Sequence, residues 1–156
     1  MKIELKNTNT NDFDVLFNFQ TDRDANYLAA FTQKNPTDKD AYIKKYTKLL
    51  SDETVNNKTI FINNEIAGSV AKFEIEGEAE ITYWIGKDFW GKGIASKALT
   101  QFLEIEKTRP IYGRVAFDNI GSQKVLEKCG FKKIGTEKGF ANARGKEIEE
   151  LIYKLN

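Results

Sequence analysis

Ile81-Thr82-Tyr83-Trp84-Ile85-Gly86-Lys87-Asp88-Phe89-Trp90-Gly91-Lys92-Gly93-Ile94-Ala95-Ser96 is the stretch whose reading decides the fold. Its first five residues are β-branched or aromatic and read as a strand, which Gly86, Lys87 and Asp88 close with turn chemistry. Past the glycines, apolar side chains recur at Ile94, Ala95, Ala98, Leu99, Phe102 and Leu103, the spacing of one helix face. The glycines therefore join a strand to a helix start. There the first backbone N–H groups lack intrahelical partners and the helix dipole is positive, so a Gly-rich entry suits a phosphate or diphosphate. The same glycines also suit a plain turn.

Toward the N-terminus, Ile3 and Leu5 mark a short strand, and Asn11 or Asp12 caps a helix carrying Phe13, Leu16, Phe17 and Phe19. Asp22, Arg23, Asp24, Asn26 and Tyr27 read as a polar break. Thr37 or Asp38 then caps a helix through Tyr42, Ile43, Tyr46, Leu49 and Leu50. Strands at 59–62 and 66–75, joined at Asn63-Asn64, and a turn at Glu76-Gly77-Glu78 complete a meander with the central strand.

Toward the C-terminus, Arg109-Pro110 ends the long helix, because a residue before proline leaves the helical region. Residues 111–117 form a strand, and Asp118 or Asn119 caps a helix that Cys129-Gly130 stops. Strands at 131–134 and 148–155 close the chain, joined by a polar, glycine-containing segment at 138–146. The resulting order, βααβββαβαββ, is a mixed α/β (α+β) domain. Its strand-helix-strand unit around the glycine loop should be right-handed, with neighbouring parallel strands.

Composition narrows the function classes. The chain has 156 residues, a net charge of +1 and charges of both signs along its length, so it offers no basic stripe for nucleic acid or a membrane surface. Cys129 is the single cysteine, which excludes an intrachain disulfide and points to a reducing, cytoplasmic setting. There is no histidine, so histidine triads and histidine metal sites are excluded and no metal is expected. A P-loop reading fails because Gly93 stands where a magnesium-binding hydroxyl is needed. A dinucleotide fingerprint lacks its third glycine, Ser96 standing there.

Trp90-Gly91-Lys92-Gly93-Ile94-Ala95 resembles the acetyl-CoA loop of the GNAT N-acetyltransferases, and Asp118-Asn119-Ile120-Gly121-Ser122 with Leu126-Glu127-Lys128-Cys129-Gly130-Phe131 resembles that family's second motif. The form is nearest the ribosomal-protein alanine N-acetyltransferase-like branch. The resemblance implies one GNAT domain over residues 1–156. It would have a central, mostly antiparallel mixed sheet of about seven strands, flanked by helices and splayed where acetyl-CoA binds. It also implies an acetyl-CoA-dependent N-acetyltransferase acting on an amine-bearing small molecule or a protein N-terminus, in a family whose members are often homodimers.

The resemblance places the diphosphate over the backbone amides of Lys92, Gly93, Ile94, Ala95 and Ser96, and the pantetheine arm along Tyr83, Trp84 and Ile85. A main-chain N–H there would steady the oxyanion, a donor of a kind worth about 3 to 4 kcal/mol. Asn119 would bond the pantetheine amide, cap its helix, or do both. Many relatives carry a tyrosine as general acid where this chain has Leu126, so Ser122, Tyr83 or water must protonate the thiolate. Ser122 also suits a helix start.

Glu80 is a candidate general base. Its spacing to Ile85 is one residue short of that in relatives, which makes it a surface carboxylate unless a bulge intervenes, with Glu137 and Glu147 in reserve. The acceptor pocket is expected between the first two helices and the 138–146 loop, with Asp22, Asp24, Asn26, Tyr27 and Phe31 as an acidic, aromatic rim for a cationic amine. Loss of the usual tyrosine raises an alternative of another class, a catalytically silent acetyl-CoA-binding sensor or interaction module.

Overall fold

The computed structural model describes residues 1–156. Seven strands form one sheet in the order β1-β2-β3-β4-β5-β7-β6. They are β1 (Ile3–Asn7), β2 (Asn56–Ile62), β3 (Glu65–Ile75), β4 (Glu78–Ile85), β5 (Ile111–Ala116), β6 (Lys132–Ala141) and β7 (Lys146–Leu155). Five helices interrupt them: α1 (Phe13–Gln20), α2 (Arg23–Ala29), α3 (Lys39–Leu50), α4 (Ile94–Ile105) and α5 (Ile120–Lys128). No helix is long and apolar enough to cross a membrane. Every strand pair is antiparallel except β4 with β5. The parallel pair expected around the glycine loop is present.

That pair is also the weakest seam. Strands β4 and β5 are in register only from Ala79 to Ile81 against Ile111 to Gly113. Beyond Ile81, β4 stays on β3 to Ile85, while β5 stays on β7 to Ala116. The sheet therefore opens into a V between residues 82–85 and 114–116, the splay that the family resemblance implies.

The main core lies between the sheet and helices α4 and α5, where Ile81, Ile85, Ile94, Ala98, Leu99, Phe102, Leu126 and Tyr153 are buried together. Full burial of each large aliphatic or aromatic side chain contributes about 1.5 to 3 kcal/mol, which fixes α4 and the loop that starts it. Phe13, Leu16, Phe17 and Tyr42 form a second cluster that holds α1 to α3. A small third cluster of Ala30, Ala116, Ala141 and Ile148 pins the end of α2 onto β5, β6 and β7.

Several expectations need correction. The polar break at 22–27 is helix α2, because the Asp22 carboxylate accepts from Ala25 N–H at 2.9 Å and caps it. The element order is therefore βαααβββαβαββ. Asp12, one of the two candidates, holds the N-cap position of α1 but makes no side-chain cap there; the side-chain cap is one turn earlier, where Asn9 caps the short 3-10 turn at Thr10–Asp12. Asp12 instead reaches back to the Asn9 amide and accepts from Thr59 Oγ1 inside the fold. Of the two candidates for α3, Asp38 is the cap, accepting from Ala41 N–H at 3.0 Å.

Helix α4 ends before Arg109-Pro110, because Glu106 turns extended and its carboxylate takes both the amide and the hydroxyl of Thr108. The 138–146 loop is mostly strand: β6 runs through Ala141 and pairs with β7 down to Lys146, leaving a tip at 142–145.

Candidate active site

The glycine loop is shaped by two residues in left-handed conformation, Gly91 at φ 77° and Gly93 at φ 73°. A side chain at either position would be strained, yet a Cβ there would meet nothing within 4 Å, so the loop's outer side is open. Helix α4 has no side-chain cap. The first amide of this helix to find a carbonyl is that of Lys97, which donates to Gly93 O at 3.2 Å, leaving the amides from Lys92 to Ser96 without an intrachain acceptor. An unpaired, positive end of a 12-residue helix, entered by glycines and open in front, is a fitting cradle for a diphosphate.

From this cradle a largely apolar cleft of about 440 Å³ runs along the open edge of β4. Tyr83, Trp84, Ile85, Gly93, Ile94, Ala95, Ser96, Asn119 and Ser122 line it together. Lys92 contributes its place in the loop, its ammonium lying 5.7 Å from the Phe89 ring centre. Sequence reasoning missed the opposite wall, Ala25, Leu28 and Ala29 of α2, as well as Phe89 and Val125. The Ala25, Leu28, Ala29 spacing is itself a helical signal, obscured by the charged residues around it.

At the mouth of the V, the Tyr83 hydroxyl stands 2.6 Å from Ser122 Oγ and donates to the Ser122 carbonyl at 3.2 Å. Burial is the main cause that pushes the Tyr83 phenol up to about 12, with the Ser122 hydrogen bond opposing it. Leu126 is sealed in the core, where a Cβ on Gly113 would come within 2.9 Å of it. A phenol is thus present near Ser122, but it comes from strand β4 rather than from α5. Asn119 caps α5 by accepting from Ser122 N–H at 3.2 Å, and it donates to Leu28 O at 3.3 Å, which ties α2 across the cleft.

Glu80 is not a surface carboxylate. Its pairing with Phe73 continues in register with no bulge, and strand alternation puts it on the same face as Thr82 and Trp84. It is buried there, with its Oε1 3.4 Å from Arg114 Nε. Its carboxyl is held above the ordinary value, chiefly by burial, with the Arg114 charge pulling the other way.

Glu80 lines a second cavity of about 390 Å³ with Phe31, Phe73, Thr82, Trp84, Arg114 and Glu150. This cavity shares Ala29, Tyr83, Trp84, Asn119 and Ser122 with the first, so the two meet in the gap of the V. Nothing in the sequence patterns marked Arg114 or Glu150, because strand alternation does not tell a buried polar face from a wet one.

The expected acceptor rim is dispersed. Phe31 faces the second cavity. Asp24 is bound to Lys87 at 2.7 Å, and Asn26 is buried in bonds with Gln20 and Thr32, so neither reaches the cavity wall. Tyr27 lies under Arg144, whose guanidinium carbon is 3.9 Å from the ring centre. Of the two reserve bases, Glu137 pairs with Arg114 at 2.9 Å, while Glu147 borders a separate groove beside Arg144 and Asp118.

A splayed mixed sheet with a bare helix start at one end of the split suits a transferase that binds an acyl-CoA. The family model for the GNAT acetyltransferase domain matches residues 2–132, and the chain belongs to that family; it is an N-acetyltransferase that uses acetyl-CoA. It is 25% identical over 164 residues to the uncharacterized N-acetyltransferase p20 of Bacillus licheniformis, covering 99% of this chain and 92% of that protein.

Among solved structures it resembles RimL, a ribosomal L7/L12 alpha-N-protein acetyltransferase in complex with coenzyme A. The TM-score is 0.81 at 22% identity, over 99% of this chain and 94% of that one. It also resembles a spermidine N-acetyltransferase from Vibrio cholerae in complex with CoA and spermine. There the TM-score is 0.79 at 22% identity, over 97% of this chain and 95% of the other. At these identities the structural likeness speaks for the fold.

Proposed function

We propose that residues 1–156 work as one GNAT domain that moves the acetyl group of acetyl-CoA directly onto a primary amine, either a protein N-terminus or an amine-bearing small molecule. The observation that carries this is the gap between β4 and β5, where a cleft leading from the bare helix start meets a cavity lined by carboxylates. The amides of Lys92 to Ser96 hold the diphosphate, and the open edge of β4 at Tyr83 to Ile85 takes the pantetheine arm as an added strand would lie.

When bound, acetyl-CoA supplies an acetyl thioester; the residues around it orient the partners and move protons. Glu80 takes the proton of the acceptor ammonium, and its raised carboxyl narrows the gap to a weakly acidic ammonium. The Tyr83 and Ser122 hydroxyls return a proton to the departing sulfur. A phenol pushed up to about 12 stays protonated throughout the neutral range and is ready to donate. The names of the two structural neighbours, one for a protein α-amino group and one for spermidine, fit an amine acceptor.

The test combines thiol release from acetyl-CoA over a panel of primary amines with a loop variant. Gly93→Asp introduces one of the side chains least strained in left-handed backbone, with open space around its Cβ, so the fold should survive at a modest cost in stability, while a carboxylate now faces the diphosphate. Affinity for acetyl-CoA should fall by about tenfold or more, equivalent to at least about 1.4 kcal/mol. Unchanged affinity, or release of no thiol with any amine, would overturn the reading.

A further inference from the structure

The wall of the second cavity is unbalanced in charge. Arg114 has Glu80 Oε1 3.4 Å from its Nε, and Glu137 Oε2 and Glu150 Oε1 at 2.9 and 3.3 Å from one terminal nitrogen. The Glu137 side chain is 60% exposed and shares its charge with water, but those of Glu80 and Glu150 are only 8% and 17% exposed. Two largely desolvated carboxylates therefore share a single guanidinium, and the pair lacks one positive charge. A buried anion without a full partner is costly, and the carboxyls of both Glu80 and Glu150 are held above their ordinary value, first of all by burial. Phe31, Phe73 and Trp84 provide aromatic surface beside the carboxylates, and the uncharged polar side chains of Thr32, Thr82, Asn119 and Ser122 complete the wall without adding a positive charge.

An ammonium group on an apolar stem answers both features, with its charge balancing the carboxylates and its stem lying against the rings. A carboxylate attached next to the same amine would meet two like charges in a desolvated site. We propose that Glu150, acting with Glu80 across Arg114, sets acceptor specificity by seating a primary amine on an apolar or aromatic stem that bears no carboxylate beside its amino group. Amino-terminal residues of peptides and simple alkyl or arylalkyl amines satisfy this rule, whereas free α-amino acids do not. The inference rests on the amine-acetylation reading above and narrows it.

The test is calorimetric binding to protein saturated with coenzyme A, so it needs no turnover. Three matched probes share one stem: phenethylamine, phenylalanine amide and phenylalanine. Phenethylamine and the amide should bind, and phenylalanine should bind at least about tenfold more weakly. Glu150→Gln should weaken phenethylamine and shrink its advantage over phenylalanine by at least about threefold, since one repelling charge is gone. Glu65→Gln, the same charge change in the exposed start of β3, should leave the ratio as it is. Equal binding of phenylalanine and its amide to the wild-type protein, or a ratio that Glu150→Gln does not move, would overturn the proposal. Failure of all three probes to bind would do the same. Saturation with coenzyme A is registered separately, so such a failure leaves the acetyl-CoA reading standing.

Discussion

A single side chain, Glu80, shows how far residue identity alone carries. Its spacing to Ile85 correctly gives the face of β4 it occupies, opposite to Ile81, Tyr83 and Ile85. What spacing cannot give is that this face is covered, because the cover comes from Phe31, Arg114 and Glu150, remote in the chain. The hydroxyl pair behaves alike: Tyr83 and Ser122 are each visible in the sequence, but their 2.6 Å contact depends on how β4 meets α5. Burial leaves Glu80 with a measurable signature. Its folded carboxyl is raised above 4.5, so the folded chain holds this proton more tightly than the unfolded chain. The stability it contributes is then complete below the unfolded value and is lost as pH rises through the folded one. Glu80→Gln cannot ionise. Its thermal midpoint should exceed that of the wild type near about pH 8, and the difference should vanish toward about pH 4, while turnover falls about a hundredfold. Midpoint curves that run parallel across that range would show that Glu80 is not desolvated.

At the scale of elements, the strongly patterned pieces were legible and the short, polar ones were not. The apolar stripe of α4 reads directly from the sequence because it is 12 residues long and buries Ile94, Ala98, Leu99, Phe102 and Leu103 against the sheet. Helix α2 has only seven residues, five of them outside its buried Ala25 and Asn26, so periodicity has little to act on. Strand β6 is an edge strand that is exposed along nearly all its length, so no alternation announces its continuation to Ala141. Yet α2 forms one wall of the cleft, and the end of β6 packs against the end of α2. The β6–β7 tip fastens α2 through Arg144, which donates to Tyr27 O at 2.7 Å and grips Asp118 with two nitrogens at 2.9 Å. At its other end α2 depends on the Asp22 cap. Asp22→Ala should lower unfolding free energy by about 1 kcal/mol. Because Ala25, Leu28 and Ala29 face the cleft, acetyl-CoA affinity should fall with it. Chemical denaturation together with ligand titration checks both effects, and a stability loss with undiminished affinity would show that α2 does not shape the binding cleft.

Across the whole molecule, the sheet is two antiparallel halves, β1 to β4 and β5-β7-β6, that share only three residue pairs. Parallel pairing around the glycine loop follows from the βαβ order, but the length of the shared seam does not. It is set by where β4 commits to β3 and β5 to β7, a competition between remote partners that no local pattern records. The open seam has a dynamic consequence. The β4 edge from Thr82 to Ile85 lacks strand pairing on one side, so its amides have a local route to exchange that the doubly paired strands do not. A ligand that binds only the folded state stabilises the whole fold, by about 2.7 kcal/mol at a hundred times its Kd, and slows exchange wherever opening is global. An arm lying along β4 adds a local effect on top of that. Acetyl-CoA should therefore protect Thr82 to Ile85 and Gly91 to Ser96 far more than the β1–β2 pairing at the distant edge, as read by hydrogen exchange with and without ligand. Protection spread evenly over the sheet would mean that the ligand does not occupy the seam, and the assigned path of the pantetheine arm would have to be abandoned.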